Sequence, residues 1–287
     1  MPAASTPLQA QRDAYARLIV PGEGVFCERL RTVFASVKRE NFVGPGPWQI
    51  YGGHGDITKL SADPRRLYQD VLVALAPERG INNGQPSLHA VCLAACAPAT
   101  GQKVLHIGAG TGYYTAILAA LVGPQGSVDA YELEPDLAAR AQHNLAHLAQ
   151  VCVHNRSACE GQLPLADLIY VNAGATHPLP LWLDALCIGG KLVFPLTTDS
   201  GHGCMLLVHR QGAPTYAATA LLRVEFIPCQ GARNAVASLA LENALARRPT
   251  RLIKSLHRGS LPDATAWCVG EGWWLSTAEL QQSTQSR

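Results

Sequence analysis

Short apolar runs alternate with amphipathic segments through the middle of the chain. The runs with the composition of buried strands lie at 103–107, 127–131, 150–154, 167–171 and 191–195. The segments with helical spacing of apolar residues lie at 113–122, 135–149 and 179–187. This alternation predicts a parallel sheet joined by right-handed crossovers. Two later apolar runs, 205–209 and 220–227, predict an antiparallel pair at one edge, so the fold class is α/β, doubly wound and mostly parallel.

The segments before the sheet combine helices with loops. Apolar positions at helical spacing predict helices at 8–20 and 25–39, and glycine and proline make 41–56 a loop. Trp48 and Tyr51 in that loop either cover a ligand or anchor the loop to the core. The valine and leucine content of 68–75 fits either a helix or a strand. Residues 80–87 form a polar turn that leads into another helix.

The C-terminal segment is predicted to be a smaller α+β extension. An amphipathic helix is expected at 234–247, and short strands are expected at 252–257 and 265–275. These strands carry three tryptophans, for which core packing is the favoured interpretation and a homo-oligomer interface or a substrate wall are alternatives. The predicted organisation is an N-terminal cap with a substrate loop (1–98), a core (99–230) and the extension (231–287).

Composition narrows the classes of partner. The 287 residues are 48% hydrophobic and carry a formal net charge of +2, with no long basic block. We therefore expect a small-molecule or peptide substrate, and neither nucleic acid nor a membrane surface as partner. Nine cysteines without a CxxC pair predict reduced thiols and no metal site. No run approaches the roughly 20 apolar residues of a membrane span, and no signal peptide is evident, so a cytoplasmic protein is predicted.

The run KVLHIGAGTG at 103–112 carries the first chemical signal. A buried strand is followed at once by Gly108, Gly110 and Gly112, and a helix begins near Tyr113. Glycines allow the backbone to approach a ligand, and the helix start directs N–H groups toward it. About twenty residues further on, the second strand ends in Glu132, whose carboxylate can accept both ribose hydroxyls. The sequence therefore predicts a nucleoside site, with GxGxG spacing rather than the dinucleotide GxGxxG.

Seven blocks in order resemble the protein-L-isoaspartate O-methyltransferase family. They read VFASVKRENFVGPG, LYQD, NNGQPSLHA, KVLHIGAGTGYYTAILA, VDAYELEPDLAARAQHNL, ADLIYVNAGATHPLP and LCIGGKLVFPL. The resemblance implies a Rossmann-like methyltransferase that uses S-adenosyl-L-methionine, releases S-adenosyl-L-homocysteine and methylates a carboxylate oxygen. The expected cofactor-binding residues are His106, Gly108, Ala109, Gly110, Thr111, Gly112, Tyr113, Glu132, Leu133, Ser157 and Asn172.

The chain departs from the family pattern at three places. His106 stands where the family has an acid (VLEIG), and Arg156, Ser157 and Ala158 stand where it reads GDG. In the loop that the family writes GQTISQP, Gly84 replaces the serine whose hydroxyl is of catalytic importance. The remaining polar side chains of that loop are the catalytic candidates, namely Asn82, Asn83, Gln85 and Ser87.

These departures favour a changed methyl acceptor. We predict a carboxyl O-methyltransferase acting on a small-molecule carboxylic acid, with isoaspartyl protein repair as the alternative. A carboxylate is ionised at neutral pH and needs no general base, whereas a phenol or amine acceptor would need one, for which His177 is a candidate. A non-catalytic S-adenosylmethionine-binding protein and a nicotinamide oxidoreductase are further alternatives.

Overall fold

The computed structural model describes residues 7–52, 60–212 and 215–280. The chain divides into two compact units, residues 1–157 and 158–287. The division into cap, core and extension at 1–98, 99–230 and 231–287 stays a prediction. Residues 53–56 of the predicted loop lie outside the described residues.

The first unit begins with helices and a small antiparallel sheet. The elements are α1 (Pro7–Ile19), α2 (Val25–Ser36), β1 (Ile50–Tyr51), β2 (Leu72–Ala76), β3 (Ile81–Asn82) and α3 (Pro86–Cys96). The segment whose composition fitted either helix or strand is extended, because β2 is the central strand of the order β1-β2-β3. Val73 of this strand is fully buried, as expected for a β-branched residue in the middle of a sheet.

Three parallel strands and two helices form the rest of the first unit. They are β4 (Lys103–Ile107), α4 (Tyr113–Val122), β5 (Ser127–Tyr131), α5 (Pro135–Leu145) and β6 (Val151–His154). The strands follow the order β4-β5-β6, and Ile107 pairs with Tyr131 at their carboxyl ends. All but one of the residues of α4 are buried, as expected for a helix that is apolar on every side. The predicted nucleoside site thus stands on a buried strand and a buried helix.

A buried arginine ties the small sheet to the segment before it. Arg39 is fully buried, and its guanidinium donates to the carbonyl oxygens of Leu67 and Val71, each at 2.7 Å. It also donates to Oδ1 of Asn83 at 2.8 Å. Because a buried cation is costly unless its donors are used, this set of acceptors fixes where residues 67–71 and Asn83 lie.

The second unit contains one parallel strand pair and a wide antiparallel region. Its elements are β7 (Ala166–Val171), α6 (Pro180–Asp184), β8 (Leu186–Thr197), β9 (His202–Arg210), β10 (Thr215–Glu225), α7 (Ala235–Arg247), β11 (Ser255–Arg258), β12 (Ala266–Gly270) and β13 (Trp273–Ser276). The strand order is β7-β8-β9-β10-β11-β13-β12, and among these described strands β7 and β8 form the parallel pair. The strands of the predicted extension therefore continue the sheet.

Several element boundaries in this unit differ from the prediction, and the difference between α6 and β8 has a clear cause. Helix α6 is shorter than the predicted 179–187, and β8 begins earlier than the predicted 191–195. Ala166 pairs with Leu186 before the register shifts, so sheet pairing takes residues that helical spacing had assigned to a helix. Trp267, Trp273 and Trp274 are all buried within the chain, as expected of core packing.

Candidate functional site

The glycine turn after β4 is tight and tied to the end of β5. Gly108, Gly110 and Gly112 have φ angles of 75°, 57° and 95°, and α4 begins at the next residue. The N–H groups of Gly108 and Ala109 donate to the carbonyl oxygen of Tyr131 at 2.9 and 3.1 Å. Left-handed backbone at successive glycines and these two bonds bring the turn beside the residue that follows β5.

Glu132 occupies that position. Its side chain is buried, one carboxylate oxygen accepts the N–H of Gly110 at 2.6 Å, and the other accepts the N–H of Glu134 at 3.0 Å. Burial raises the pKa of Glu132 above its ordinary value, and these backbone N–H groups oppose that rise. Asn155 donates to the carbonyl oxygens of Glu132 and Leu133 and so fixes the backbone there.

Leu133 is 39% exposed directly beside this carboxylate. An accessible apolar side chain next to a buried acid is the combination that a nucleoside needs, since it offers both a ring surface and a hydroxyl acceptor. Ser157 is partly exposed, and its carbonyl oxygen accepts from the Arg156 guanidinium at 3.1 Å.

Three other predicted cofactor residues direct their side chains into the protein. His106 is fully buried with Nδ1 2.8 Å from the Thr115 hydroxyl, and burial lowers its pKa to about 3. The Thr111 hydroxyl donates to the carbonyl oxygen of Phe42 at 2.5 Å, and Tyr113 is buried. Any contact of Thr111, Tyr113 or Ala109 with a ligand would therefore use the backbone.

Two predicted residues lie in the second unit. Asn172 directly follows β7 and is half-buried, and its role at the cofactor stays a prediction. Nδ1 of His177 lies 3.0 Å from the Thr176 hydroxyl, and burial lowers the pKa of this histidine.

The side chains of the four catalytic candidates of the 80–87 loop all form hydrogen bonds within the chain. Oδ1 of Asn82 accepts the N–H of Gly84 at 2.9 Å, and Oδ1 of Asn83 accepts from Arg39 and from the N–H of Val73. The remaining bonds all go to one carboxylate, that of Asp70. It accepts from the Gln85 amide at 2.8 Å and from the Ser87 hydroxyl and N–H at 2.7 and 2.8 Å.

The Asp70 carboxylate therefore occupies the start of α3, a position that favours an anion. A carboxylate at a helix N-terminus satisfies N–H groups that have no partner within the helix and interacts favourably with the helix dipole. Sequence reasoning missed Asp70, Arg39 and their roles because each acts on residues far along the chain. The only signal for Asp70 was its place in the block LYQD.

Comparisons with known proteins decide the family. The sequence profile described as Protein-L-isoaspartate(D-aspartate) O-methyltransferase (PCMT) matches residues 60–234. A "Protein-L-isoaspartate O-methyltransferase 2" from Pelobacter propionicus is 35% identical over 219 residues, 74% of this chain and 86% of the relative. Another protein of that name, from Anaeromyxobacter sp. (strain Fw109-5), is 30% identical over 230 residues, 78% of this chain and 84% of the relative. The chain belongs to the protein-L-isoaspartate O-methyltransferase family.

Solved structures show the same fold. A structure titled protein-L-isoaspartate O-methyltransferase superposes with a TM-score of 0.64 at 22% identity, covering 84% of this chain and 71% of that one. A candidate enzyme of the same name from Plasmodium falciparum, in complex with S-adenosyl-L-homocysteine, gives a TM-score of 0.61 at 17% identity, covering 79% and 100%. The predicted Rossmann-like methyltransferase fold is thereby confirmed, and the chain is an S-adenosylmethionine-dependent methyltransferase. Within the described residues, no helix has the length and apolar character needed to span a membrane.

Gly84, which the resemblance aligns with the family serine, lies against the His89 ring. Gly84 has a φ of +71°, and a Cβ built on it would lie 2.4 Å from Nε2 of His89. The His89 ring stacks on Tyr114 with centroids 3.7 Å apart, and the Tyr114 hydroxyl donates to the carbonyl oxygen of Gly84 at 3.3 Å. The His89 imidazole thus fills the space that a side chain at residue 84 would need, so the two positions are coupled.

Replacing Gly84→Ser is expected to reduce the free energy of unfolding by about 3 kcal/mol, through left-handed backbone strain and the contact with His89. Gly80→Ser is the matched control, because Gly80 also has a positive φ but no atom within 4 Å of its Cβ position. Urea unfolding would measure both, and in a His89→Ala background the cost of Gly84→Ser should fall by about 2 kcal/mol. Equal costs for the two serines, unchanged by His89→Ala, would contradict the coupling.

The buried histidines predict an acid-sensitive fold. Burial lowers the pKa values of His89 and His106 from 6.5 to about 3, so the unfolded chain binds protons below pH 6.5 that the folded chain does not. Stability should therefore fall as the pH is lowered through this window, by roughly 1.4 kcal/mol per pH unit for each histidine at its steepest.

Urea unfolding at pH 7, 6 and 5 would measure this slope. His106→Asn should reduce this slope by the contribution of one histidine. His147→Asn, at an exposed position, should leave the slope unchanged. A His106→Asn slope equal to that of the unsubstituted chain would show that His106 is not held neutral.

Proposed function

We propose that this chain transfers the methyl group of S-adenosylmethionine to a carboxylate oxygen of isoaspartyl residues in peptides or proteins. The observation that carries the proposal is the family match over residues 60–234, which spans both the glycine turn and the 80–87 loop. Two relatives that this chain matches over more than four fifths of their length are named for that reaction. The small-molecule acceptor favoured by the sequence becomes the second candidate.

The residues around the glycine turn fit the methyl donor. The two carboxylate oxygens of Glu132 accept the N–H groups of Gly110 and Glu134 and keep further lone pairs, which suit the two hydroxyls of a ribose. Leu133 offers an exposed apolar surface to the adenine, and Ser157, in the loop after β6, is the other predicted contact. We assign the backbone of 108–112 to close approach, because its glycines carry no side chain to block a ligand. When bound, S-adenosylmethionine supplies an electrophilic methyl carbon on its sulfonium.

On the acceptor side, the reaction requires mainly that the chain position the carboxylate. A carboxylate has a reference pKa of about 4, so it is nucleophilic at neutral pH without a general base. The chain must hold one oxygen in line with the methyl carbon and keep water away. We propose that four loop residues act as positioning residues, shaping the loop through their bonds to the chain itself: Asn82, Asn83, Gln85 and Ser87.

A small carboxylic acid is the second candidate, and one observation favours it. Gly84 lacks the hydroxyl of the family serine, and His89 occupies the space beside it. The altered loop is therefore compatible with an acceptor that the serine-containing enzymes do not use.

A labelled-methyl transfer assay separates the two candidates. The chain would be incubated with methyl-labelled S-adenosylmethionine and either an isoaspartyl peptide, the same peptide with ordinary aspartate, or a panel of aliphatic and aromatic carboxylic acids. We expect labelling of the isoaspartyl peptide at least about 10-fold above the aspartyl control, a discrimination of about 1.4 kcal/mol in transition-state binding.

The label should be released as methanol on mild alkaline treatment, because a carboxyl methyl ester hydrolyses there and a methyl ether or amine does not. Labelling of small acids without the isoaspartyl peptide would transfer the assignment to the second candidate. A base-stable label on either kind of acceptor would refute carboxyl methylation.

A further inference from the structure

Three side chains with metal-binding atoms meet on β5 and β6, two neighbouring parallel strands of the first unit. Asp129 on β5 pairs in register with Cys152 on β6, and two residues further along Tyr131 pairs with His154. Paired residues of parallel strands, and residues two apart on one strand, project from the same face of a sheet. The register therefore places Asp129, Cys152 and His154 on one face.

The side-chain geometry brings the three ligand atoms together. Nε2 of His154 lies 2.7 Å from Oδ1 of Asp129, and the atoms of all three residues lie within 4.8 Å of one another. Cys152 is exposed, and the other two side chains are about 30% exposed, so an ion can reach them from solvent. The His154 ring stacks on Tyr131 with centroids 4.7 Å apart at 18°, which restricts the direction of its nitrogens.

The donor set indicates which ions would bind. A thiolate, an imidazole and a carboxylate are the three ligand types that zinc uses, at about 2.3 Å for sulfur and about 2.0–2.2 Å for nitrogen and oxygen. Bound at those lengths in tetrahedral geometry, the donors would lie roughly 3.3–3.6 Å apart. Nε2 of His154 and Oδ1 of Asp129, now 2.7 Å apart, would therefore separate through small side-chain rotations. Hard ions such as Mg²⁺ or Ca²⁺ are disfavoured by the sulfur.

We propose that Asp129, Cys152 and His154 form a binding site for a zinc-type divalent cation, with three protein ligands and a fourth position open to water. The hydrogen bond between His154 and Asp129 explains why these two side chains lie together. The thiol of Cys152, in register with Asp129, supplies the third ligand. The carbonyl oxygen of His154 accepts the N–H of Glu132 at 3.0 Å, so the ion would cross-link the strand pair that carries Glu132. The site is independent of the acceptor and of the methyl donor.

Titration with Co²⁺ tests the proposal on the purified full chain under reducing conditions without chelating reductants. One equivalent should give visible bands of tetrahedral cobalt and a thiolate-to-cobalt charge-transfer band, both removed by added Zn²⁺. Cys152→Ser should abolish the charge-transfer band and weaken binding by at least about 100-fold, since losing a ligand costs more than losing an outer partner. Asp129→Asn and His154→Gln should weaken binding and retain the thiolate band at higher Co²⁺.

Cys187→Ser is the matched control, because Cys187 is a partly exposed cysteine outside the cluster and should leave both bands unchanged. Zn²⁺ should also raise the melting temperature of the unsubstituted chain and of Cys187→Ser, without raising that of Cys152→Ser. The circular dichroism of each variant verifies folding. A charge-transfer band that survives in Cys152→Ser, or its absence from the unsubstituted chain, would overturn the proposal.

Discussion

The hydrogen bond from the N–H of Gly110 to the carboxylate of Glu132 holds the donor half of the structure together. It joins two turns that follow neighbouring parallel strands, at the edge where an open α/β sheet binds its ligands. Burial alone would favour the protonated acid, and the N–H groups of Gly110 and Glu134 favour the anion. The geometry of the glycine turn and the charge of the acid therefore depend on each other.

The 80–87 loop depends in the same way on two charged side chains outside it. Arg39 collects carbonyl oxygens and Oδ1 of Asn83, whereas Asp70 collects the donors of Gln85 and Ser87 at the start of α3. Arg39 binds acceptors and Asp70 binds donors, so these hydrogen bonds define the shape of the loop without a bound substrate. With the carboxylate acceptor that we propose, such preorganisation would leave the acceptor to be placed rather than activated.

The sequence predicted the elements whose causes are local. The runs at 103–107 and 127–131 became β4 and β5 because short apolar stretches bounded by glycine or acid have few other ways to fold. Asp70, Arg39 and His89 were missed because each acts through a partner that only the tertiary fold brings close. The start of β8 was missed because pairing between Ala166 and Leu186 outweighs helical spacing. The proposed metal-binding cluster has no sequence spacing of its own because two strands contribute to it.

The most direct test of the role of Glu132 is calorimetric titration with S-adenosyl-L-homocysteine. Glu132→Gln keeps the size of the side chain but replaces one carboxylate oxygen with an NH₂ group. The single remaining acceptor oxygen is too few for the two backbone N–H groups and the ribose hydroxyls. Affinity should fall by about 100-fold, or about 3 kcal/mol, whereas the exposed Glu242→Gln should bind like the unsubstituted chain. A folded Glu132→Gln variant that binds S-adenosyl-L-homocysteine as tightly as the unsubstituted chain would contradict the account.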